Sequence, residues 1–448
     1  MGGDCLNFGC VPSKGLISSA RVVHTIRKAE NWGLKSQEPQ FEFSRIFESM
    51  RARRAIIEPL DSQERVEGLG VDVFRGDAKF ISPHEVEVNG QVLRGKNLVI
   101  ASGSRAGIPP IPGLSEISYY TNETIFDELN EKPESMIIIG GGPIGCELGQ
   151  AMNRLGVNVY LLDLAPQILI REDPEVSAYA RKYLEDEGVN IYTGIKTKKF
   201  SQLNGKIHLG YEGSPTSPGD GGNATLEVDT VLVSAGRIPN IETLNLEAAG
   251  VEFDKRGVKV NEYMQTNQPH IWAAGDVAGS YQFTHVADFQ ARTVVRNILM
   301  PFSLFYSKMD YSVVPWSTFI SPEVARVGLN ETEAKEQGID YDLYTLEMKE
   351  VDRAILDSAD HGFIKILTEK GKDRMIGVTI VADHGGDLLH EFVLAIKYDI
   401  GLGKIAATIH AYPTFAELAR KLGDQYNRSR LTPRAKSIFT WLFKRQIK

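Results

Sequence analysis

The chain has 448 residues, a net charge of −8 and 42% apolar residues. Its length predicts about three domains, and its apolar content is ordinary for a protein with large cores. The negative charge argues against a body that binds nucleic acid, and no apolar run approaches the roughly 18 residues needed to cross a bilayer. The N-terminus has no basic stretch followed by an apolar core, so no secretory signal is visible. Three cysteines are too few for a secreted disulfide scaffold, which favours a cytoplasmic location.

Two of the cysteines, Cys5 and Cys10, lie close together near the N-terminus. Positions five apart in a regular helix are about 140° apart around its axis, so the segment must bend before the two sulfurs can meet. Gly9 allows such a bend, and Pro12 suits the first turn of a helix better than its middle. A pair held in this way can alternate between dithiol and disulfide, although the spacing alone would equally suit two buried, unreactive cysteines. The third cysteine, Cys146, is predicted to be a small buried residue inside a helix.

The residues around this pair, GDCLNFGCVPSK from Gly3 to Lys14, resemble the active disulfide of the flavin-dependent pyridine nucleotide–disulfide oxidoreductases. That family includes dihydrolipoamide dehydrogenase, glutathione reductase and mercuric reductase. The resemblance implies an FAD cofactor, with Cys10 as the sulfur nearer the flavin ring and Cys5 as the interchange thiol that meets the substrate. Lys14 and Glu147 match the family's ion pair beside the reactive nitrogen of the flavin; the alternative is a plain salt bridge.

The pattern after the cysteines predicts amphipathic helices at 15–35 and 43–70, and strands within 71–101. An α/β unit then runs from about 135 to 237. Inside that unit the Gly/Ser/Pro-rich stretch 213–223 predicts a long exposed hairpin loop.

A glycine-rich turn marks the nucleotide site of this α/β unit. A short apolar strand runs into Gly140, Gly142 and Gly145, and a helix follows. In this pattern the first glycine makes the tight turn, the second lets the backbone approach a pyrophosphate, and the third lets helix and strand pack closely. The next strand ends in Asp163, whose carboxylate can bond the ribose hydroxyls of NADH and would repel a 2′-phosphate. NADH is therefore favoured over NADPH, although Arg171 could be recruited to a phosphate.

Three further segments resemble parts of the family's flavin site. The alternative for each alone is a buried strand followed by a turn, and their order behind the cysteine pair supports the resemblance. The segments are the strand end at 101–104 with Ser102, Gly103 and Ser104, the return from the nucleotide domain at 234–240 with Gly236 and Arg237, and the second flavin motif at 271–276 with Gly275 and Asp276. The resemblance implies that Asp276 bonds the ribitol chain of FAD.

The family begins with a strand–glycine–helix–strand unit of its own before the cysteines, and no such unit stands ahead of Gly3. Either the chain is part of a longer protein that binds FAD, which we favour, or the chain as given binds flavin poorly. Without that unit a parallel sheet would lack its central strand and would expose apolar side chains and strand edges. We therefore expect the purified chain to be colourless and poorly soluble.

The segment 409–417 resembles the family segment that reaches across a dimer interface to the partner's disulfide. Dihydrolipoamide dehydrogenase and glutathione reductase have a general acid–base histidine there, held by a glutamate five residues later. In this chain the two positions are Tyr412 and Glu417. Tyrosine titrates at about 10 and is a poor base at neutral pH, but mercuric reductase also has a tyrosine at this position. The nearby His410 is interpreted as structural.

The predicted fold class is α/β, with two dinucleotide-binding, Rossmann-like three-layer domains, the first of them truncated, and a C-terminal α+β dimerisation domain. The predicted domains are an FAD-binding domain at 1–112 and 238–308, an NAD(P)-binding domain at 113–237, a dimerisation domain at 309–427 and a basic amphipathic tail at 428–448. A homodimer is implied, because Tyr412 would have to reach Cys5 of a second subunit.

The sequence thus predicts a flavin-dependent NAD(P)H oxidoreductase that passes electrons through a Cys5–Cys10 disulfide to a small disulfide or an Hg(II)-type acceptor. The alternatives are a dihydrolipoamide dehydrogenase-type reductase and a non-catalytic truncated chain that binds nucleotide and dimerises. Mercuric reductase has a pair of cysteines at its C-terminus that residues 441–448 do not contain. The basic tail could make a weak contact with a membrane surface, but a helix packed on its own domain or a frayed end is favoured. No nucleic-acid partner and no metal site are predicted.

Overall fold

The computed structural model describes residues 1–213, 223–279 and 281–446. The hairpin loop predicted at 213–223 therefore lies, apart from its two ends, outside the described residues. Within the described ranges, no helix combines the length and the apolar character that are needed to cross a bilayer.

The helices are shorter than the sequence pattern predicts near the N-terminus. The predicted helix at 15–35 begins already at Cys10 and ends at Arg27, and the helix predicted at 43–70 ends at Ile57, because Pro59 cannot donate the next helical hydrogen bond. In chain order the helices are α1 Gly3–Asn7, α2 Cys10–Arg27, α3 Phe43–Ile57, α4 Gln63–Gly68, α5 Ile125–Glu128, α6 Pro143–Arg154, α7 Pro174–Asp186, α8 Thr284–Leu299, α9 Glu331–Glu336, α10 Asp352–Leu356, α11 Gly385–Lys397, α12 Leu402–Ala406, α13 Glu417–Ser429 and α14 Pro433–Gln446.

The strands are mostly short and fall into several small sheets and two larger ones. In chain order they are β1 Ala78–Ser82, β2 Glu85–Val88, β3 Gln91–Arg94, β4 Leu98–Ile100, β5 Ser104–Ala106, β6 Ser135–Ile139, β7 Asn158–Asp163, β8 Asn190–Thr193, β9 Lys196–Leu203, β10 Lys206–Glu212, β11 Asn223–Val228, β12 Thr230–Val233, β13 Arg237–Pro239, β14 Phe253–Asp254, β15 Gly257–Val258, β16 Ile271–Ala273, β17 Pro315–Thr318, β18 Glu323–Gly328, β19 Tyr341–Glu347, β20 Phe363–Glu369 and β21 Met375–Ala382.

The chain divides into two compact units. Unit 1 comprises Met1–His24, Pro39–Ala165 and Asn190–Tyr311, and unit 2 comprises Thr25–Glu38, Pro166–Val189 and Ser312–Lys448. The domain boundaries that the sequence predicts within unit 1 stay a prediction.

Unit 1 contains a four-stranded parallel sheet in the order β12-β6-β7-β8. The sequence of β6 is almost entirely apolar and buried, because both faces of a parallel sheet are covered. Phe200 of β9 and Leu209 of β10 lie in the same apolar core as Ile137 of β6. Since β6 and β7 are parallel neighbours, their carboxyl ends bring the glycine-rich loop and Asp163 to one edge of the sheet.

A second, two-stranded parallel sheet of unit 1 pairs β4 with β16. Ile100 is buried at the end of β4, whereas Val99 is 47% exposed. Both strands end at the same side, because parallel strands share their direction. Two of the segments predicted to bind flavin, the one after β4 and the one after β16, therefore begin next to each other.

Unit 2 is built on a five-stranded antiparallel sheet in the order β17-β18-β21-β20-β19. Its apolar core combines buried strand residues such as Ile364 and Ile380 with Phe392 of α11 and Leu422 of α13. This is the α+β arrangement predicted for the C-terminal region. Together with the parallel sheets of unit 1, it confirms the predicted fold class.

Two buried cations explain why helix α7 belongs to unit 2. Arg326 of β18 and Lys365 of β20 are both buried, and each pairs with carboxylates at the start of α7 and on α9. The partners are Glu172 and Glu333 for Arg326, and Asp173, Glu175 and Glu331 for Lys365. Removing one member of such a buried pair costs about 3–5 kcal/mol, since the other charge is left unpaired.

Candidate active site

The two neighbouring cysteines lie on different helices. α1 ends at Asn7, Phe8 and Gly9 interrupt the helix, and α2 begins at Cys10. The interruption is the bend that the spacing requires, and it brings the two thiols into hydrogen-bond contact. Both are free thiols in this structure, with Cys5 half-buried and Cys10 exposed.

The hydrogen bond between the thiols moves their pKa values in opposite directions. The bond from Cys5 is the largest cause that lowers the pKa of Cys10, to about 6, while burial opposes it. Thr284, whose hydroxyl oxygen lies 3.4 Å from the Cys10 sulfur, and the charge of Lys14 also lower this pKa. The same thiol–thiol bond, together with burial, raises the pKa of Cys5. At neutral pH the reduced pair therefore holds a thiolate at Cys10 and a thiol at Cys5.

Lys14 lies about one turn after Cys10 on α2, on the same side of the helix. Its Nζ donates to Oε2 of Glu147 at 2.8 Å, and Glu147 is buried on α6. The structure thus forms the ion pair that the resemblance implies. A buried carboxylate fixes the lysine near the cysteine pair and joins the cysteine helix to the helix of the glycine-rich loop.

Ser104, Arg237 and Asp276 meet in one polar cluster. The Ser104 hydroxyl donates to Oδ2 of Asp276 at 2.5 Å and accepts from Nε of Arg237 at 2.7 Å. The Arg237 guanidinium also lies 3.4 Å from Asp276 and 3.1 Å from Oδ1 of Asp4. Because Asp4 belongs to α1, the cluster is bonded directly to the helix that carries Cys5.

The backbone around this cluster is held by further hydrogen bonds. Ser102 donates its hydroxyl to the carbonyl of Asn240 at 2.6 Å, and the Asn240 N–H donates to the carbonyl of Gly103 at 3.0 Å. The N–H of Gly275 donates to Oε1 of Gln290 at 2.7 Å. The three flavin segments predicted from the sequence are therefore fixed close together in unit 1.

The chemistry of this cluster fits an FAD. A carboxylate at Asp276 can accept hydrogen bonds from ribitol hydroxyls, and the Arg237 guanidinium suits phosphate oxygens. A Cβ built at Gly103 or Gly236 would meet no atom within 4 Å, so a ligand can approach the backbone closely at both glycines.

The glycines of the nucleotide loop differ in what surrounds them. A Cβ at Gly145 would lie 1.9 Å from the carbonyl oxygen of Gly140, so this position needs glycine for α6 to pack against the strand end. A Cβ at Gly142 would meet nothing within 4 Å. Gly142 therefore leaves open space at the N-terminus of α6, where a pyrophosphate would be bound. The close packing predicted for Gly145 is thus observed, while the binding of a pyrophosphate at Gly142 stays a prediction.

Asp163 ends β7 beside the same loop. Its Oδ2 accepts from the Gly141 N–H at 2.5 Å, and its Oδ1 accepts from the Ala165 N–H at 2.7 Å. Each carboxylate oxygen still has a lone pair for a ribose hydroxyl. Cys146, in contrast, is fully buried on α6, where its sulfur contacts the Gly141 carbonyl and burial raises its pKa. It lies outside the redox pair, as predicted.

Tyr412 and Glu417 both lie in unit 2, but the family-like pairing between them is not formed. The Tyr412 side chain is 69% exposed, and its hydroxyl donates to Oδ2 of Asp352 at 2.8 Å. This bond raises the pKa of Tyr412. Glu417 is buried, and its Oε1 lies 3.0 Å from Arg420 and 3.6 Å from Lys421. Glu417 therefore pairs with Arg420 and Lys421, three and four positions later on α13, and not with Tyr412.

His410 is engaged through both ring nitrogens. Its Nε2 lies 2.9 Å from Oε1 of Glu391, and its Nδ1 lies 3.0 Å from the carbonyl oxygen of Thr408. A ring held on both sides is fixed in place, which agrees with the structural role predicted for it.

Three site residues escaped the sequence analysis: Asp4, Thr284 and Asp352. Asp4 stands next to Cys5, so its position within the motif was a usable signal. Thr284 and Asp352 carry no local signal, because each contacts its partner only through the fold.

Comparison with known proteins agrees with this geometry. The model of the pyridine nucleotide-disulphide oxidoreductase family matches residues 1–291, and that of the family's dimerisation domain matches residues 314–422. Mercuric reductase of Staphylococcus aureus is 34% identical over 421 residues, which cover 93% of this chain and 75% of that protein. Dihydrolipoyl dehydrogenase of Thermus scotoductus is 33% identical, covering 93% of this chain and 88% of that protein.

A solved structure is also similar over nearly the whole chain. It is the Cu(II) complex of the HOCl-induced flavoprotein disulfide reductase RclA from Escherichia coli, with a TM-score of 0.82 and 25% sequence identity over 94% of this chain and 90% of that one. The family implies FAD and a pyridine nucleotide as cofactors. With the cysteine pair, the glycine-rich loop and the dimerisation region all matched, this chain belongs to the pyridine nucleotide-disulphide oxidoreductase family.

Proposed function

We propose that this chain oxidises NADH and passes two electrons, by way of FAD and the Cys5–Cys10 pair, to a soft metal ion such as Hg(II) or to a small disulfide. The observation that carries the proposal is the contact between the two thiols where α1 ends and α2 begins, beside Thr284 and the Lys14–Glu147 ion pair. Within this contact the pKa of Cys10 is lowered to about 6 while that of Cys5 is raised.

The residues that would hold FAD are Asp276, Ser104 and Arg237, with the Lys14–Glu147 pair beside the cysteines. When bound, FAD supplies a two-electron relay between a nicotinamide and a disulfide. Gly142 and the N-terminus of α6 would hold the pyrophosphate of the nucleotide.

Reduction of the Cys5–Cys10 disulfide takes up two electrons and one proton. The sulfur–sulfur bond breaks, Cys5 receives the proton, and Cys10 stays a thiolate beside Thr284 and Lys14. Toward a disulfide substrate, Cys5 passes its proton to Cys10 through their hydrogen bond and attacks one substrate sulfur; the other leaves as a thiolate and takes the proton from Cys10, which becomes a thiolate again. Cys10 then attacks the Cys5 sulfur, which releases the second half of the substrate and restores the Cys5–Cys10 bridge.

Tyr412 favours a metal acceptor over a disulfide. Its pKa is raised by Asp352, so it cannot take a proton from a thiol at neutral pH as a histidine would. A soft ion needs no such proton relay and binds thiolates strongly. The named activity of the Staphylococcus aureus relative, mercuric reductase, supports the same choice.

NADH is the proposed reductant because Asp163 offers a carboxylate where NADPH would place its 2′-phosphate. We also propose a homodimer in which Tyr412 of one subunit lies beside Cys5 of the other. The match to the family's dimerisation domain supports this proposal. A cytoplasmic location, where free thiols stay reduced, belongs to the same proposal. Contact of the basic tail with a membrane would be a separate property that the redox reaction does not need.

The decisive experiment follows oxidation of NADH and of NADPH by the FAD-loaded protein, with Hg(II), lipoamide and glutathione disulfide tested in parallel. We expect turnover with NADH and Hg(II), and its loss in the Cys5→Ser and Cys10→Ser variants. Turnover of lipoamide alone would exclude the metal acceptor and favour a dihydrolipoamide dehydrogenase-type activity. Turnover that survives both substitutions would refute a cysteine relay, and nucleotide binding and dimerisation without any turnover would favour a non-catalytic chain.

A further inference from the structure

Helix α14 presents an apolar surface that nothing in the described structure covers. Its large apolar side chains are between 44% and 64% exposed, and none of its residues is buried. These side chains are Ile438, Phe439, Trp441, Leu442 and Phe443. Among the described residues, the hydrogen bonds of the helix stay within it or reach only Thr432, the residue just before it, as from the Ala435 N–H to the Thr432 hydroxyl. Five large apolar side chains on a single exposed helix indicate a docking surface.

The apolar side chains share one side of the helix. At about 100° per residue, Ile438, Leu442, Phe439 and Phe443 fall within an arc of about 140°. Ser437, Thr440 and Lys444 fall on the opposite side. The helix is therefore amphipathic, with a narrow polar face and a broad apolar one.

Cations border the apolar face on both sides. Arg445 stacks on the ring of Trp441, 4.3 Å from its centroid, at one border, and Lys436 lies at the other. A Trp side chain beside an Arg side chain is expected at the boundary between lipid tails and head groups. The ring is apolar, whereas the guanidinium remains hydrated.

The charge of the helix selects its partner. Residues 433–446 contain four cations and no acidic residue, within a chain whose net charge is −8. A second copy of this helix would bring like charges together, whereas the phosphates of an anionic bilayer match them. A helix of 14 residues is too short to span a membrane, which takes about 20 residues.

We propose that α14 docks the protein reversibly on the surface of an anionic lipid bilayer. Ile438, Phe439, Leu442 and Phe443 enter the head-group region, and Lys436, Arg434 and Arg445, which border the apolar face, contact lipid phosphates. This property goes beyond the redox function and does not depend on it.

The test is co-sedimentation of the full chain with vesicles of phosphatidylcholine alone and of phosphatidylcholine mixed with phosphatidylglycerol. We expect binding to the mixed vesicles only, and its loss at about 1 M salt, where the Debye length falls to about 3 Å. The double variant Phe439→Ser/Phe443→Ser should bind about tenfold more weakly or not at all, and Arg434→Gln/Lys436→Gln, which removes one cation from each border, should also weaken binding. Binding should shift the Trp441 fluorescence to the blue, as measured against a Trp441→Phe variant.

The matched control is Leu304→Ser, which removes an apolar side chain that is 88% exposed elsewhere in the chain. It should bind like the unchanged protein, and circular dichroism of every variant should show an intact fold. Equal binding to both kinds of vesicle, undiminished binding of the double phenylalanine variant, or no binding at all would overturn the proposal. Self-association that disappears in the double phenylalanine variant, without lipid binding, would assign α14 to a contact between copies instead.

Discussion

The cysteine pair of unit 1 and the tyrosine segment of unit 2 treat their titratable groups in opposite ways. Cys10 lies among a thiol, a hydroxyl and an ammonium group, all of which favour its negative form. Tyr412 is exposed and bonded to the carboxylate of Asp352, which favours its neutral form. At neutral pH the Cys10 sulfur is therefore already ionised, whereas the Tyr412 phenol stays protonated. Only the sulfur can act as a nucleophile under these conditions.

The largest effect is expected from removal of the Cys10 sulfur. Cys10→Ser should lower the turnover of NADH with every acceptor by at least about 10³-fold, because a hydroxyl can neither form the bridge nor ionise near neutral pH. Steady-state NADH oxidation measures this loss. Cys146→Ser is the control and should keep its activity, since Cys146 lies buried in α6. Ordinary turnover in the Cys10→Ser variant would contradict the role proposed for the Cys10 thiolate.

A smaller effect is expected at the tyrosine. Tyr412→Phe should lower turnover about tenfold, because in the proposed dimer its hydroxyl would no longer donate a hydrogen bond to a thiolate of the other subunit's cysteine pair. Its pH dependence should keep the same acidic midpoint, because Cys10 is untouched. The matched control is Tyr398→Phe, another exposed tyrosine of unit 2. If Tyr412→Phe moved the acidic midpoint instead, the phenol would be part of the titrating system.

The thiolate itself can be titrated by alkylation of the reduced protein with iodoacetamide. The rate at Cys10 should be low below pH 6 and rise to a plateau above it, because the pKa of Cys10 is about 6 and only the thiolate reacts. Cys5→Ala and Lys14→Met should each move the midpoint upward, since each removes a group that lowers this pKa. Lys28→Met, at an exposed position just beyond α2, should leave it unchanged. A midpoint near the ordinary value of about 8.5 would contradict the assignment.

The mildest change is expected from Asp352→Asn. The variant should lower the pKa of Tyr412 toward its ordinary value of about 10, because the carboxylate that opposes ionisation is gone. The absorbance of tyrosinate, taken as the difference between this variant and its Tyr412→Phe counterpart, measures the shift. Turnover at neutral pH should change by less than about twofold, since the phenol stays protonated in both forms. An unchanged pKa would mean that the bond to Asp352 does not form in solution.

A site residue could be predicted from the sequence where the residues that mark it lie within a few positions of it. The glycine-rich loop, Asp163 and the cysteine pair are marked by residues a few positions away, so their places in the fold could be predicted from the sequence, while their roles stay a prediction. The Lys14–Glu147 pair is distant in sequence, and only the family resemblance could suggest it. Thr284 lies 274 positions from Cys10, and no pattern around it distinguishes it from other threonines.

The Tyr412 segment shows where resemblance misleads. The glutamate of the family is present at Glu417, yet Arg420 and Lys421 on the same helix take its carboxylate. The tyrosine turns to Asp352, 60 positions earlier. Which of two carboxylates a hydroxyl selects depends on side-chain length and competing cations in three dimensions, and a matched motif does not contain that information.

One consequence follows from the fact that α2 begins at Cys10. The peptide dipoles of an 18-residue helix add up to about half a positive charge at that end. This attraction for a sulfur anion comes from the main chain, so no side-chain replacement can remove it. In a protein without Cys5, Thr284 and Lys14, this attraction and the burial that opposes it would together set the acidity of the sulfur at position 10.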